Sequence, residues 1–207
     1  MTADVEVETS SGPAVLTERE RRPRRVPGEE GTWIFIFGDM CVFAVLFCVF
    51  LEARMSDATG FASDQAQLNQ NFGAINTVLL LVSSFFVVLA MRAVHSPALR
   101  ARAPRLLVGA WLCGAAFLVV KVVEYAEKVD HGITPQTSDF YMYYFVLTGL
   151  HAFHLILGLV ALTVLVNLAK KPEMSKGQFA FFEGGACFWH MVDLLWLVLF
   201  PLVFLAR

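Results

Sequence analysis

Two histidine pairings in apolar surroundings carry the chemistry this chain offers. FWHMVDLLW sets His190 and Asp193 three positions apart, and LHAFHL sets His151 and His154 at the same interval. On a helix that interval places both side chains one turn apart on neighbouring faces. Three uses fit such a set. His151, His154 and His190 would supply a three-nitrogen site for a metal or haem. Histidines alternating with carboxylates form a proton relay, a common functional use of ionisable groups at membrane depth. Alternatively, imidazoles and carboxylates satisfy one another and lock helices in register without any reaction. An ionised side chain costs about 3 kcal/mol at the centre of a helix in lipid, so each of these residues needs a partner or a use.

The elements that must position them are membrane helices. The 207 residues are 57% hydrophobic and 16% charged, with a mean hydropathy of +0.61, too apolar for a soluble domain of this size. About 20 residues at ~1.5 Å each cross a ~30 Å hydrocarbon core. Counting such runs predicts five spans, near 33–54, 72–94, 105–128, 140–169 and 179–205. The runs are continuous and lack the alternation of a lipid-facing strand, which excludes a barrel. The connectors between them are short and polar, leaving no room for a soluble domain. The expected fold class is therefore all-α, a polytopic five-helix bundle over 32–207. Residues 1–31 hold charge, Pro, Gly and Ser with almost no aromatic content and read as a flexible tail. Its glutamates and the lack of an early apolar segment argue against a signal or transit peptide.

Charge placement predicts orientation. Arg21, Arg22, Arg24 and Arg25 precede span one. Arg92, Arg100, Arg102 and Arg105 bracket the second loop, and Lys170, Lys171 and Lys176 bracket the fourth. All fall on one side of a five-span chain, so the positive-inside rule puts the N-terminus in the cytoplasm and the C-terminus outside. With orientation set, helical rise gives depth. Asp39 and Glu183 belong about two turns inside the cytoplasmic face, and Glu52 and Glu124 near the outer face. His151, His154, His190 and Asp193 share the middle, where the first two are the expected partners of the last two.

Other signals are weaker or exclude functions. Cys41, Cys48, Cys113 and Cys187 lie within spans without a CxxC pair and read as thiols packed between helices. Five histidines fall short of the ligands for a haem together with a second metal, and His95 and His131 are in loops on opposite sides. Ser83 and Ser84 lack a GxSxG turn, no Gly-rich phosphate loop occurs, and nothing suggests nucleic acid. Lys121 precedes Glu124 by three residues, spaced for an intrahelical ion pair or for snorkelling to the interface. Gly109, Gly114, Gly149 and Gly158 would let helices approach closely. Trp33 reads as an interface anchor, whereas Trp111, Trp189 and Trp196 fit either an anchor or the core.

VVEYAE in span three, GLHAFHLILG in span four and FWHMVDLLW in span five, in that order, resemble subunit III of the haem-copper cytochrome c oxidases. GDMCVFAVLF and FFEGGACFWH also fit, and the resemblance covers about residues 29–207. It implies an accessory subunit without a catalytic centre, beside subunit I and with subunit II in one respiratory complex of the cell (plasma) membrane. The implied roles are assembly, durability and proton uptake of the catalytic subunit. Haem and copper would sit on those partners, with none on this chain, and bound phospholipid is a further implied partner. The residues carried over are Glu124 with Tyr125, the pair His151 and His154, and Glu183, Trp189, His190, Asp193 and Trp196. Longer members have seven helices, the first two splayed around a lipid-filled cleft; here only the later five are expected. GEEGTWIFIFGDM and Lys121, where Gln is frequent, are similar to small accessory proteins found with nitric oxide reductases, the alternative inside the family. The alternative outside it is an independent membrane metalloprotein or proton-coupled transporter using His151, His154 and His190.

Overall fold

A computed structural model describes residues 30–205; the tail of the sequence reading lies outside the described residues apart from its last two positions. Five helices are long and apolar enough to cross a membrane: α1 (Glu30–Ser56), α3 (Gln70–His95), α4 (Ala103–Asp130), α5 (Asp139–Ala169) and α6 (Lys176–Phe200). All five expected spans are present: α1, α3, α4 and α5 extend past their hydropathy runs by up to three residues at an end, and the last run, 179–205, is covered by α6 together with the turn Pro201–Leu205 that follows it. The chain is an all-α, multi-pass membrane bundle.

One element was not anticipated. The first connector holds a short helix, α2 (Ala58–Gln65), started by Asp57, whose carboxylate accepts the Gly60 N–H at 3.0 Å. An Asp in that position satisfies an amide that the first turn leaves without an intrahelical acceptor. Asn69, Ser138 and Ser175 cap α3, α5 and α6 in the same way, Ser175 within a reciprocal capping box with Gln178. Helix α4 stops at Gly132, whose φ of 75° lets Ile133 and Gly132 donate back to the carbonyls of Lys128 and Val129. Pro201 has no N–H for the ladder, and α6 passes into a π-helical turn, Pro201–Leu205. The side-chain amides of Gln65 and Gln70 donate to the Val203 and Phe204 carbonyls, tying the first connector to this end.

Helix α6 lies at the centre, against α3, α5 and α1, while α4 packs on α3 and α5. In the most apolar window of each helix 56% of residues are buried in α6 but only 17% in α1. Most of α1 therefore faces outward. Cys41 and Cys48 are exposed on it, and only Cys113 and Cys187 are partly packed, which corrects the expectation that all four thiols lie between helices.

Candidate functional site

The polar residues of the interior do not form one layer. They separate into pockets, each closed by a different helix pair. Towards the α4 C-terminus, Lys121 Nζ donates to Glu124 Oε2 at 3.0 Å and to the Tyr144 hydroxyl of α5 at 3.3 Å, and Tyr144 donates to Glu124 Oε1 at 2.5 Å. Lys121 and Glu124 are 3% and 2% exposed. The ion-pair reading of this spacing is thus the right one, and Lys121 does not snorkel. The rings of Tyr125, Tyr144, Trp196 and Phe204 stand 5.0–5.5 Å from the ammonium and enclose it. Tyr125 extends the network. Thr148 spends its hydroxyl hydrogen on the Tyr144 carbonyl, so at the 2.5 Å contact Tyr125 donates and Thr148 accepts.

The histidines go separate ways. His190 Nδ1 meets Ser84 Oγ of α3 at 2.7 Å. His154 donates from Nδ1 to the Leu150 carbonyl at 2.8 Å and turns Nε2 towards Asp39 of α1, 3.3 Å away. With Nδ1 committed as a donor, that contact is attractive only when a proton lies on Nε2 or on the carboxyl. His151 is fully buried, and neither ring nitrogen has a hydrogen-bond partner among the described residues. Instead its ring packs 5.6 Å from Phe117 and 5.2 Å from Trp196, centre to centre. Asp193 is buried with Oδ1 unpaired among the described residues. The expected pairing of His190 and Asp193 with His151 and His154 is therefore corrected. Residues i and i+3 differ by about 60° in direction around a helix, enough for His154 to face α1 while His151 faces α4 and α6. Neither His151, His154 and His190 nor any other three His, Cys, Asp or Glu side chains come together as metal ligands among the described residues. Glu183 is partly buried two turns into α6 and is not free of partners. Glu52 is exposed.

Two tryptophans of α6 are core residues. Trp189 Nε1 donates to Ser83 Oγ at 3.1 Å, and Ser83 donates to the Ala110 carbonyl at 2.8 Å, joining α6, α3 and α4. Its indole fills a slot made by two glycines. A Cβ on Gly114 would come within 2.6 Å of it and one on Gly158 within 2.7 Å. Trp196 donates to Thr77 Oγ1 at 3.0 Å and meets Phe117 edge-on at 4.8 Å. Tyr144, Thr148, Ser84, Thr77 and Phe117 complete these pockets and were not singled out from the sequence as site residues. They are ordinary helix residues there, and only knowledge of which face meets which neighbour would have selected them.

The fold and these pockets define an all-α, multi-pass membrane protein of five spans, whose helices are tied to one another by buried polar bonds. The comparisons agree. Residues 28–206 match the cytochrome c oxidase subunit III family. The quinol oxidase subunit 3 of Bacillus subtilis (strain 168) is 30% identical, with 84% of this chain and 85% of that protein covered. The cytochrome c oxidase subunit 3 of Alkalihalophilus pseudofirmus is 32% identical over 84% of each chain. The cytochrome bo(3) ubiquinol oxidase subunit 3 of Pseudomonas putida is 27% identical, again over 84% of each. The chain belongs to the cytochrome c oxidase subunit III family. It is accordingly an accessory subunit of a haem-copper oxidase and works with other subunits of such a complex.

Proposed function

We propose that this chain is a non-catalytic support for the catalytic subunit I, with subunit II in the same complex, in the plasma membrane. It favours assembly, keeps the complex intact during turnover and assists proton uptake. In this reading the haem and copper of the complex sit on the partner subunits and phospholipid binds at the chain's surface. The N-terminus lies in the cytoplasm and the C-terminus outside. One observation carries the supporting role: the Lys121–Glu124–Tyr144 network and the Trp189–Ser83 and Trp196–Thr77 bonds each join separate helices and fix their positions. Polar bonds of that kind set register in a membrane, where lipid provides no hydrophobic force between helices. The exposed face of α1 is left for lipid or partners.

Affinity purification through a tag on this chain tests the reading. The expected result is co-purification of a haem-copper subunit that reduces oxygen, and a lower yield of intact complex when the chain is deleted. A co-purified subunit that reduces nitric oxide instead moves the chain to that branch of the family. Stoichiometric haem or metal on the isolated chain overturns the support role.

A further inference from the structure

We propose that the cleft between the Arg100 turn and the end of α5 binds a phosphate-bearing anion at the membrane surface. The cleft has a volume of about 390 Å³ and is lined by Arg100, Lys170 and Lys171 together with Ala101, Pro104 and Pro172. It lies where α4 begins at Ala103 and α5 ends at Ala169, on the side of the bundle that carries the basic loops. Two details point to an anion. Arg100 is held in place by a 3.3 Å bond from Nη2 to the Lys171 carbonyl, yet its buried Nε has no partner among the described residues. A buried donor left unpaired costs about 1–3 kcal/mol, more for a charged group, which an oxyanion would recover. Further, none of the three cations pairs with a carboxylate among the described residues, and neither lysine ammonium bonds the last carbonyls of α5. They are not used up in capping that helix.

The chemistry of the set favours phosphate. A guanidinium fork matches two oxygens of a phosphate in its plane, and two ammoniums add unoriented positive charge. Basic pockets between membrane helices on the positively charged side are suited to anionic headgroups. The alanine and proline side chains in the lining suit the carbon skeleton next to such a phosphate. A phosphodiester headgroup and free inorganic phosphate share this chemistry and differ in whether the carbon skeleton is needed.

The test uses the complex purified through this chain, stripped of lipid and then supplied with phosphatidylglycerol, phosphatidylcholine or inorganic phosphate. Bound lipid is read by native mass spectrometry and the thermal midpoint by intrinsic fluorescence. Phosphatidylglycerol is expected to bind and raise the midpoint where phosphatidylcholine does not. Each cation removed should weaken binding roughly fivefold, the equivalent of about 1 kcal/mol per surface cation. Arg100→Gln and the double variant Lys170→Gln/Lys171→Gln should both show the loss; the double variant keeps the Lys171 carbonyl that accepts from Arg100, removes no side-chain hydrogen bond described above, and keeps the test valid if Arg100→Gln disturbs the turn. Arg102→Gln, on the same side but outside the cleft, should bind as the wild type does. Protection by millimolar inorganic phosphate alone assigns a free anion as the source, and protection by phosphatidylglycerol alone assigns the lipid. Phosphatidylcholine binding as tightly as phosphatidylglycerol overturns the proposal, because net charge then plays no part, and equal loss in Arg102→Gln and Arg100→Gln overturns it because diffuse charge then explains the effect.

Discussion

At the scale of single residues, Lys121 and Glu124 are the most consequential pair in the bundle. Neither ionised side chain is tolerable alone at 3% and 2% exposure, and each makes the other so. Lys121→Met should therefore destabilise the chain by about 3–5 kcal/mol, the usual loss when one partner of a buried pair is removed. The double variant Lys121→Gln/Glu124→Gln leaves two neutral amides that can bond Tyr144 and should recover most of it. Denaturant unfolding of the detergent-solubilised complex checks both, and a Lys121→Met variant as stable as the wild type would show that the pair is not held as described. The spacing allowed this contact without deciding it, because i and i+3 side chains can reach one another on a helix and a lysine there can equally snorkel. The partners of His154 and His190 were hidden for a related reason: the sequence sets how deep each residue lies, but not which neighbouring helix it faces. Asp39 and Ser84 enter only once the helices are arranged.

At the scale of elements, packing separates glycines that look alike in sequence. Gly158→Ala would place a methyl 2.7 Å from the Trp189 ring, whereas at Gly149 the nearest atom to a new Cβ is the Tyr125 hydroxyl at 3.9 Å. Overpacking typically costs about 1–3 kcal/mol. Gly158→Ala is expected to lose stability in that range and shift the tryptophan fluorescence, and Gly149→Ala to behave as wild type; equal behaviour of the two would contradict the slot. Helix α1 makes the opposite case. It has little buried surface and is held through Asp39 to His154 and through Phe43 and Phe50. Elements with few buried contacts open most easily, so amides of 36–50 should exchange faster than those of α6, and Asp39→Ala should accelerate α1 alone. Uniform acceleration across all five spans would mean that α1 is no separate unit. Hydropathy found each span because lipid demands an uninterrupted apolar run. It passed over α2, since ATGFASDQ owes its helix to the Asp57 cap rather than to any apolar period.

At the scale of the whole molecule, the two connectors at one end and the two at the other differ in charge. Arg92, Arg100, Arg102, Arg105, Lys170, Lys171 and Lys176 flank the loops after α3 and α5. The opposite end has Arg54, which is not free of partners, and Lys128, whose ammonium donates to the Gln67 carbonyl. Because α1 to α6 cross alternately, with α2 remaining at that opposite end, this asymmetry fixes which end stays inside if the positive-inside rule governs insertion. Single cysteines at two exposed positions, Glu173→Cys after α5 and Gln136→Cys before it, decide the matter in intact cells. A membrane-impermeant maleimide should label Gln136→Cys at once and Glu173→Cys only after the membrane is opened, above the background of the unsubstituted chain. The reverse pattern would place the basic cleft outside, away from the anionic inner leaflet that suits it, and would invert the topology proposed for the complex.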